Sequence, residues 1–215
     1  MRTSWLTFDC YGTLIDWERG IRAFFGSLEG MGDPETLLAE WEEIQFRMIR
    51  GPYLYYREVL ARSLRDTLEA RGLACPPEKG AEFAEALTTW APFADSNPAL
   101  EKLHARGFKL GIISNIDDDL LARTVRRFSV PFDLLVTAEQ SGAYKPDAAS
   151  FRLALRRIGG APGNVTHVAF GERYDLATAR HCGMQVVFVN RDGRKIPFRA
   201  DAEISTLAAL PELFD

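Results

Sequence analysis

From residue 91 onwards the chain alternates short apolar runs with stretches of helical periodicity. The runs LGII, HVAF and VVFV are the length of single strands and are apolar throughout, as expected for parallel strands buried on both faces. Helical stretches of about ten residues between such runs are typical of right-handed βαβ units. We therefore predict strands at 109–113, 132–137, 165–170 and 185–190, joined by helices at 97–105, 118–128, 147–158 and 174–182.

One further strand is predicted at 4–8, well before this pattern begins. The intervening segment, 17–90, shows helical spacing without convincing strand signals. Asp16 and the pair Asp33-Pro34 are favourable helix starts, and Gly51-Pro52 is a break between helices. The fold class is thus predicted as α/β, a Rossmann-like doubly wound parallel sheet with an inserted helical cap. The predicted core is 1–16 with 91–215, and the predicted cap is 17–90.

Composition excludes several classes of protein. The 215 residues are 47% hydrophobic, which is enough for a sizeable core. The net charge is −4, and no apolar run approaches the roughly 20 residues of a membrane span. Three scattered cysteines make neither a disulfide framework nor a zinc motif. We therefore expect a cytoplasmic protein that acts on a small molecule and binds neither nucleic acid nor membranes.

Reactive side chains follow the predicted strands where each strand ends. Asp9 follows the first strand, Ser114-Asn115 follows the second, Lys145 lies in the loop after the third, and Glu172 and Asp175 follow the fourth. Ligands of open α/β sheets bind beyond the carboxyl ends of the strands. A carboxylate, a hydroxyl, an amine and an acidic pair are thus expected to converge on one point.

These motifs, in this order, are similar to those of the haloacid dehalogenase superfamily. The matching elements are D-x-Y-G-T-L from Asp9, S-N at 114–115, K-P at 145–146 and the late acidic loop. The resemblance implies a strand order of 3-2-1-4-5, a mobile cap after the first strand and a homodimer. It also implies that Asp9 is a nucleophile that forms a covalent ester. Lys145 would keep Asp9 ionised, and Asp175 would orient Lys145 or activate water.

Other candidates would bind the substrate. Thr13 and Ser114 offer hydroxyls, and the backbone N–H groups after Asp9 can hold an anion. Tyr11 and Asn115 adjoin these positions and are included in the predicted substrate site.

The cap contributes one further candidate, Arg57, which follows the Gly51-Pro52 break where the cap is expected to face the core. Its guanidinium is suited to a carboxylate or a leaving anion. We expect Arg47 and Arg50 to lie on solvated helix faces.

The reaction class depends on position 11. Phosphatases of the superfamily carry a second aspartate there, which protonates the leaving group, whereas this chain has Tyr11. Tyrosine is a poor acid near neutral pH, and a departing halide needs no proton. The late acid that would help to hold magnesium is also displaced by one position, to Glu172. These features favour a dehalogenase that needs no metal. A magnesium-dependent phosphatase with Asp9, Glu172 and Asp175 as ligands is the alternative.

The residues around the predicted nucleophile depart from the dehalogenase pattern. In 2-haloacid dehalogenases an arginine that helps to bind halide follows the cap tryptophan, but here Glu42 follows Trp41. Phe151 replaces an expected tyrosine, and Phe170 and Glu172 replace a serine and an asparagine. The main hypothesis is a hydrolase that displaces a leaving group from a small carboxylic acid. Hydrolytic opening of a strained ring and a non-catalytic ligand-binding role remain alternatives.

Overall fold

A sheet of six parallel strands forms the centre of the computed structural model, which describes residues 3–28 and 33–214. The strand order is β3-β2-β1-β4-β5-β6, which confirms the expected order 3-2-1-4-5 and adds one edge strand. That edge strand was missed because three residues, one of them charged, form no apolar run. The strands are β1 (Trp5–Phe8), β2 (Lys109–Ser114), β3 (Leu134–Thr137), β4 (Val165–Ala169), β5 (Gln185–Val189) and β6 (Ala202–Ile204).

Helices lie between β1 and β2 and in the later crossovers. A single turn of π-helix, Glu172–Leu176, precedes the last of them, where the sequence predicted one continuous helix at 174–182. The helices are α1 (Trp17–Gly26), α2 (Pro34–Ile49), α3 (Tyr56–Glu69), α4 (Pro77–Leu87), α5 (Ser96–Ala105), α6 (Asp118–Thr124), α7 (Ala138–Ser141), α8 (Ala149–Ile158) and α9 (Ala177–His181). Within the described residues, no helix is long and apolar enough to cross a membrane.

The register of the sheet brings three strand ends level. Phe8 at the end of β1 pairs with Ile112 on β2 and with Val168 on β4. Asp9 follows directly, so its backbone lies between the loops that leave β2 and β4. This alignment places the reactive side chains of separate segments at one edge of the sheet.

Helices α1 to α4 pack against one another in the segment 17–90. Phe25, Trp41 and Phe83 form their aromatic centre, with ring centroids 5.5–6.5 Å apart. The Trp41 indole donates a hydrogen bond to Ser63 Oγ at 2.9 Å, which satisfies a buried polar pair. The boundaries of the cap at residues 17 and 90 stay a prediction.

The expected caps of α1 and α2 are present. Asp16 accepts a hydrogen bond from the backbone N–H of Arg19, and Asp33 accepts one from Thr36. Both bonds satisfy amides that the first turn of a helix leaves unpaired.

Helix α3 receives its N-terminal cap from another segment of the chain. Asp117 directly precedes α6, but its buried carboxylate accepts hydrogen bonds from the N–H groups of Tyr56 and Arg57, at 2.6 and 2.9 Å. The first turn of α3 is therefore held by the loop that follows β2, which ties the inserted helices to the sheet.

Gly20 and Gly26, the two glycines of α1, test how closely this helix approaches Trp90. A Cβ on Gly20 would lie 2.3 Å from the Trp90 ring, whereas a Cβ on Gly26 would have its nearest neighbour 4.0 Å away. We expect Gly20→Ala to lower the free energy of unfolding by about 1–3 kcal/mol through overpacking. Gly26→Ala is expected to leave it unchanged or raise it by up to about 1 kcal/mol. Urea unfolding measures both, and equal shifts would contradict the close approach of Trp90 to α1.

Candidate active site

A cleft opens where the carboxyl ends of β1, β2 and β4 face the inserted helices. Its floor comes from the loops after the strands, and its opposite wall comes from α1 to α4 and the adjoining Trp90. The floor residues are Asp9, Tyr11, Ser114, Asn115, Lys145, Phe170, Gly171, Tyr174 and Asp175, and the wall residues are Trp17, Ile21, Trp41, Glu42, Gln45, Tyr56, Leu87 and Trp90.

The centre of the floor is a buried cluster of three charged side chains. Lys145 Nζ lies 2.8 Å from Asp9 Oδ1 and 2.7 Å from Asp175 Oδ1, and it also donates to the carbonyl oxygen of Ile113 at 2.9 Å. Lys145 and Asp175 are 1% exposed and Asp9 is 8% exposed. The structure therefore brings together the three residues predicted to be catalytic. The ammonium uses all three of its protons in the cluster.

The two carboxyl groups differ in their proton affinity. Burial raises the pKa of Asp9, and the neighbouring Asp175 charge adds to the shift, which Lys145 opposes. Burial also acts on Asp175, but the Lys145 charge and the hydrogen bond from His167 outweigh it and lower the pKa of that carboxyl. The two carboxylates likewise outweigh the effect of burial on Lys145 and raise its pKa. The lysine thus stays charged between two acids of unequal strength.

Thr13 does not line the cleft, which corrects its predicted role in substrate binding. Its buried hydroxyl donates to Asp9 Oδ2 at 2.9 Å and accepts the N–H of Phe170 at 2.9 Å. Together with Lys145, it bonds both oxygens of the Asp9 carboxylate. Thr13 therefore orients Asp9.

Tyr11, Ser114 and Asn115 line the cleft, but two of their polar groups are occupied. The Asn115 amide pairs with the backbone of Lys145, donating to its carbonyl oxygen at 3.0 Å and accepting its N–H at 2.7 Å. The Tyr11 hydroxyl lies 2.8 Å from Thr124 Oγ1, and burial raises the pKa of Tyr11 further. The Ser114 hydroxyl has no hydrogen bond to another described residue.

Arg57 lies outside the cleft, so its prediction as a substrate-binding residue was wrong. It occupies the first turn of α3, where Asp117 and Asp119 stand opposite. Its Nε lies 3.3 Å from Asp117 Oδ2, its terminal nitrogen pairs with Asp119, and 48% of its side chain is exposed. The ion pairs with these two carboxylates hold the Arg57 guanidinium at the outer surface.

The three residues assigned to the magnesium alternative, Asp9, Glu172 and Asp175, do not all line the cleft. Glu172 does not line the cleft, and within 3–28 and 33–214 no three His, Cys, Asp or Glu side chains are grouped for a metal. Asp175 Oδ1 is engaged by Lys145 and His167, and its Oδ2 is buried without a hydrogen-bond partner. The expected independence of metal stays a prediction.

His167 is a part of the site that the sequence analysis missed. Its Nε2 lies 2.9 Å from Asp175 Oδ1 and its Nδ1 lies 3.0 Å from Thr7 Oγ1, with both residues fully buried. A ring that carries its proton on Nε2 donates to Asp175 and accepts from Thr7. The sequence signal for this contact was one polar residue inside each of two apolar strands. Thr7 and His167 are directly opposite in the register of β1 and β4.

A strand-end aspartate paired with a buried lysine below a wall of inserted helices defines a class of α/β hydrolases. The model of the haloacid dehalogenase-like hydrolase family matches residues 4–183 of this chain. The chain therefore belongs to the haloacid dehalogenase-like hydrolases.

Similar proteins include several that are named as haloacid dehalogenases. An (S)-2-haloacid dehalogenase of Pseudomonas putida is 29% identical over 191 residues, which is 86% of this chain and 84% of that protein. The L-2-haloacid dehalogenase RSc1362 superposes with a TM-score of 0.90 at 23% identity, covering 99% of both chains. The Xanthobacter autotrophicus enzyme with chloropropionic acid covalently bound superposes with a TM-score of 0.87 at 23% identity, covering 99% of this chain and 98% of its own.

Replacement of His167 tests its part in the buried network. His167→Leu leaves the Thr7 hydroxyl without its partner and Asp175 with one bond fewer, so we expect a loss of about 1–3 kcal/mol in the free energy of unfolding. The exposed His181 on α9 supplies the control, since surface changes stay within about 0.5 kcal/mol. Urea unfolding compares the two variants. Equal stability of His167→Leu and His181→Leu would contradict the network.

Proposed function

We propose that the protein is a metal-independent hydrolase that displaces halide from a 2-halo carboxylic acid through an ester on Asp9. The observation that carries the proposal is the buried Asp9–Lys145 pair, which faces the cleft without a general acid at position 11. Relatives named as (S)-2-haloacid dehalogenases over most of their length support the choice of leaving group.

The first step is an attack of the Asp9 carboxylate on the carbon that bears the halogen. The new carbon–oxygen bond forms as the carbon–halogen bond breaks, and the halide departs with the bonding electrons. Thr13 and Lys145 hold the carboxylate by its two oxygens. This fixed orientation is the contribution of the site, because a positioned nucleophile avoids the entropy cost of a random encounter.

The second step is hydrolysis of the ester at the Asp9 carbonyl carbon. Asp175 Oδ2 is buried, lacks a hydrogen-bond partner, and belongs to a residue that lines the cleft. It is therefore available to accept a hydrogen bond from the attacking water. The oxyanion develops on the Asp9 oxygen that did not attack the substrate, and the one donor bonded to that oxygen, Lys145 Nζ or the Thr13 hydroxyl, stabilises it. Collapse of this intermediate breaks the bond between the Asp9 carbonyl carbon and the substrate oxygen. The leaving alkoxide takes up one proton of the attacking water to become a hydroxy acid, the other proton goes to solvent, and Asp9 is restored as a carboxylate.

The substrate carboxylate has neutral donors near Asp9. The N–H groups of Cys10 and Tyr11 donate to no acceptor among the described residues, and the Ser114 hydroxyl lines the same cleft. Oriented amides of this kind bind anions. The predicted homodimer and cytoplasmic location stay predictions.

The phosphatase alternative is not favoured. A phosphate ester needs a proton for its leaving alkoxide, but the Tyr11 hydroxyl is bonded to Thr124 and burial raises its pKa. General acid catalysis is worth on the order of 10²–10⁴ in rate, which Tyr11 does not supply.

Isotope transfer tests the covalent step. A single turnover of 2-bromopropanoate in ¹⁸O-labelled water should place label on the Asp9 carboxylate, as read by peptide mass spectrometry. Asp9→Asn should lower bromide release by at least about 10³-fold, because an amide is a very poor nucleophile. Label found only in the product, or p-nitrophenyl phosphate hydrolysis that needs magnesium and Asp9, would contradict the proposal.

The pH profile should report the ionisation of Asp9. Burial raises its pKa and only the ionised form attacks, so kcat/KM should fall as the pH drops through that raised value. The fall should therefore begin at a higher pH than for an exposed carboxyl group. Bromide release from pH 4 to pH 9 measures the profile, with circular dichroism as the control for folding. An acidic limb at the pKa of an exposed aspartate would contradict the assignment.

A further inference from the structure

The residues that line the cleft carry more negative than positive charges. The described lining residues include three carboxylates, Asp9, Glu42 and Asp175, but Lys145 is their one cation. Lys145 is fully engaged by Asp9, Asp175 and Ile113. The third carboxylate, Glu42, therefore has no positive partner in the lining. Seven aromatic rings make up much of the remaining surface.

Glu42 is half-buried on α2, and its carboxylate forms no hydrogen bond or ion pair with any described residue. Two arginines lie near enough to influence it, but both are engaged elsewhere. Arg173 pairs with Glu43 at 2.7 Å and stacks on Phe46. Arg194 donates to the carbonyl oxygen of Phe170 at 2.6 Å and stacks on its ring. Burial raises the pKa of Glu42, and the charges of Arg173 and Arg194 oppose this shift only in part.

Aromatic side chains share the lining of the cleft with this carboxylate. Trp17 and Tyr174 line the cleft and are half-buried, and the Glu42 charge acts on the Tyr174 hydroxyl. Trp17 packs beside Trp41, the neighbour of Glu42 in the chain, with ring centroids 6.2 Å apart. Rings with an unpaired carboxylate are the surroundings that bind organic cations, because ring faces and carboxylate both attract positive charge. An anion placed here would be repelled by Glu42.

We propose that Glu42, Trp17 and Tyr174 form a subsite for a positively charged ammonium group of the substrate. The substrate would then be a 2-halo acid with a cationic side group, an identification that rests on the proposed function. Its carboxylate would lie at the Ser114 end of the cleft, and its ammonium group would neutralise Glu42.

Binding of a non-reactive cation tests the subsite without any turnover. Choline and its neutral isostere 3,3-dimethylbutan-1-ol differ in the charge of one central atom. Titration calorimetry should show choline binding to the wild-type protein at least about tenfold more tightly than the alcohol, from the expected size of a cation–π and ion-pair contact.

Two glutamates on α2 provide matched variants. Glu42→Gln keeps the shape of the side chain and should weaken choline binding about tenfold. Glu40→Gln is the control, because Glu40 pairs with Arg71 away from the cleft, and it should change the choline Kd by less than about twofold. Equal binding of the alcohol, or a Glu42→Gln variant with unchanged affinity for choline, would overturn the subsite.

A kinetic comparison separates the subsite from the reaction. The trimethylammonium and tert-butyl analogues of one 2-bromo acid share their shape, and the ratio of their kcat/KM values should fall about tenfold in Glu42→Gln. If neither analogue releases bromide while choline binding depends on Glu42, the subsite stands and the proposed reaction fails. If both release bromide and the ratio does not respond to Glu42, the reaction stands and the subsite is wrong.

Discussion

The buried Lys145 ammonium is the interaction on which the rest of the site depends. Two carboxylates could not remain ionised beside each other at this depth without it, because burial and mutual repulsion both favour their protonated forms. Other residues serve to hold it in place. Asn115 bonds both backbone groups of Lys145, and the Ile113 carbonyl oxygen takes the remaining ammonium proton. These bonds hold one positive charge at the point where β1, β2 and β4 end.

The unequal surroundings of the two carboxylates separate their roles. Asp175 receives hydrogen bonds from Lys145 and His167 on one oxygen, which holds its pKa low and leaves the other oxygen free. Asp9 receives one bond on each oxygen and retains a raised pKa, so its carboxylate is both oriented and the better base of the two. Lys145 thus pairs with both the nucleophile, Asp9, and the carboxylate that would bond the attacking water, Asp175. The hydrogen bond from His167 contributes to the difference because it lowers the pKa of Asp175, whereas the bond from Thr13 orients Asp9.

The sequence predicted which residues would meet, but it did not predict which way several of them would point. Asp9, Lys145 and Asp175 could be assigned because each follows a strand of a parallel sheet, and parallel strands end at one edge. Thr13 and Arg57 were misassigned because side-chain direction depends on partners distant in the chain, namely Asp9 and Phe170 for Thr13 and the carboxylates after β2 for Arg57. His167 was hidden in an apolar run, and only the strand register pairs it with Thr7.

The chemistry and the selection of substrate come from different parts of the chain. The charged cluster is built by loops at the ends of the strands, whereas the wall comes mainly from α1 to α4 and Trp90. Asp117 joins the wall to the floor through backbone N–H groups at the start of α3. The side chains of the wall can therefore change while the nucleophile keeps its geometry. Glu42 stands on this wall, and Phe170 lines the cleft from the floor. Because a departing halide requires no proton, such changes alter what the cleft admits without removing a proton donor that the bond cleavage needs.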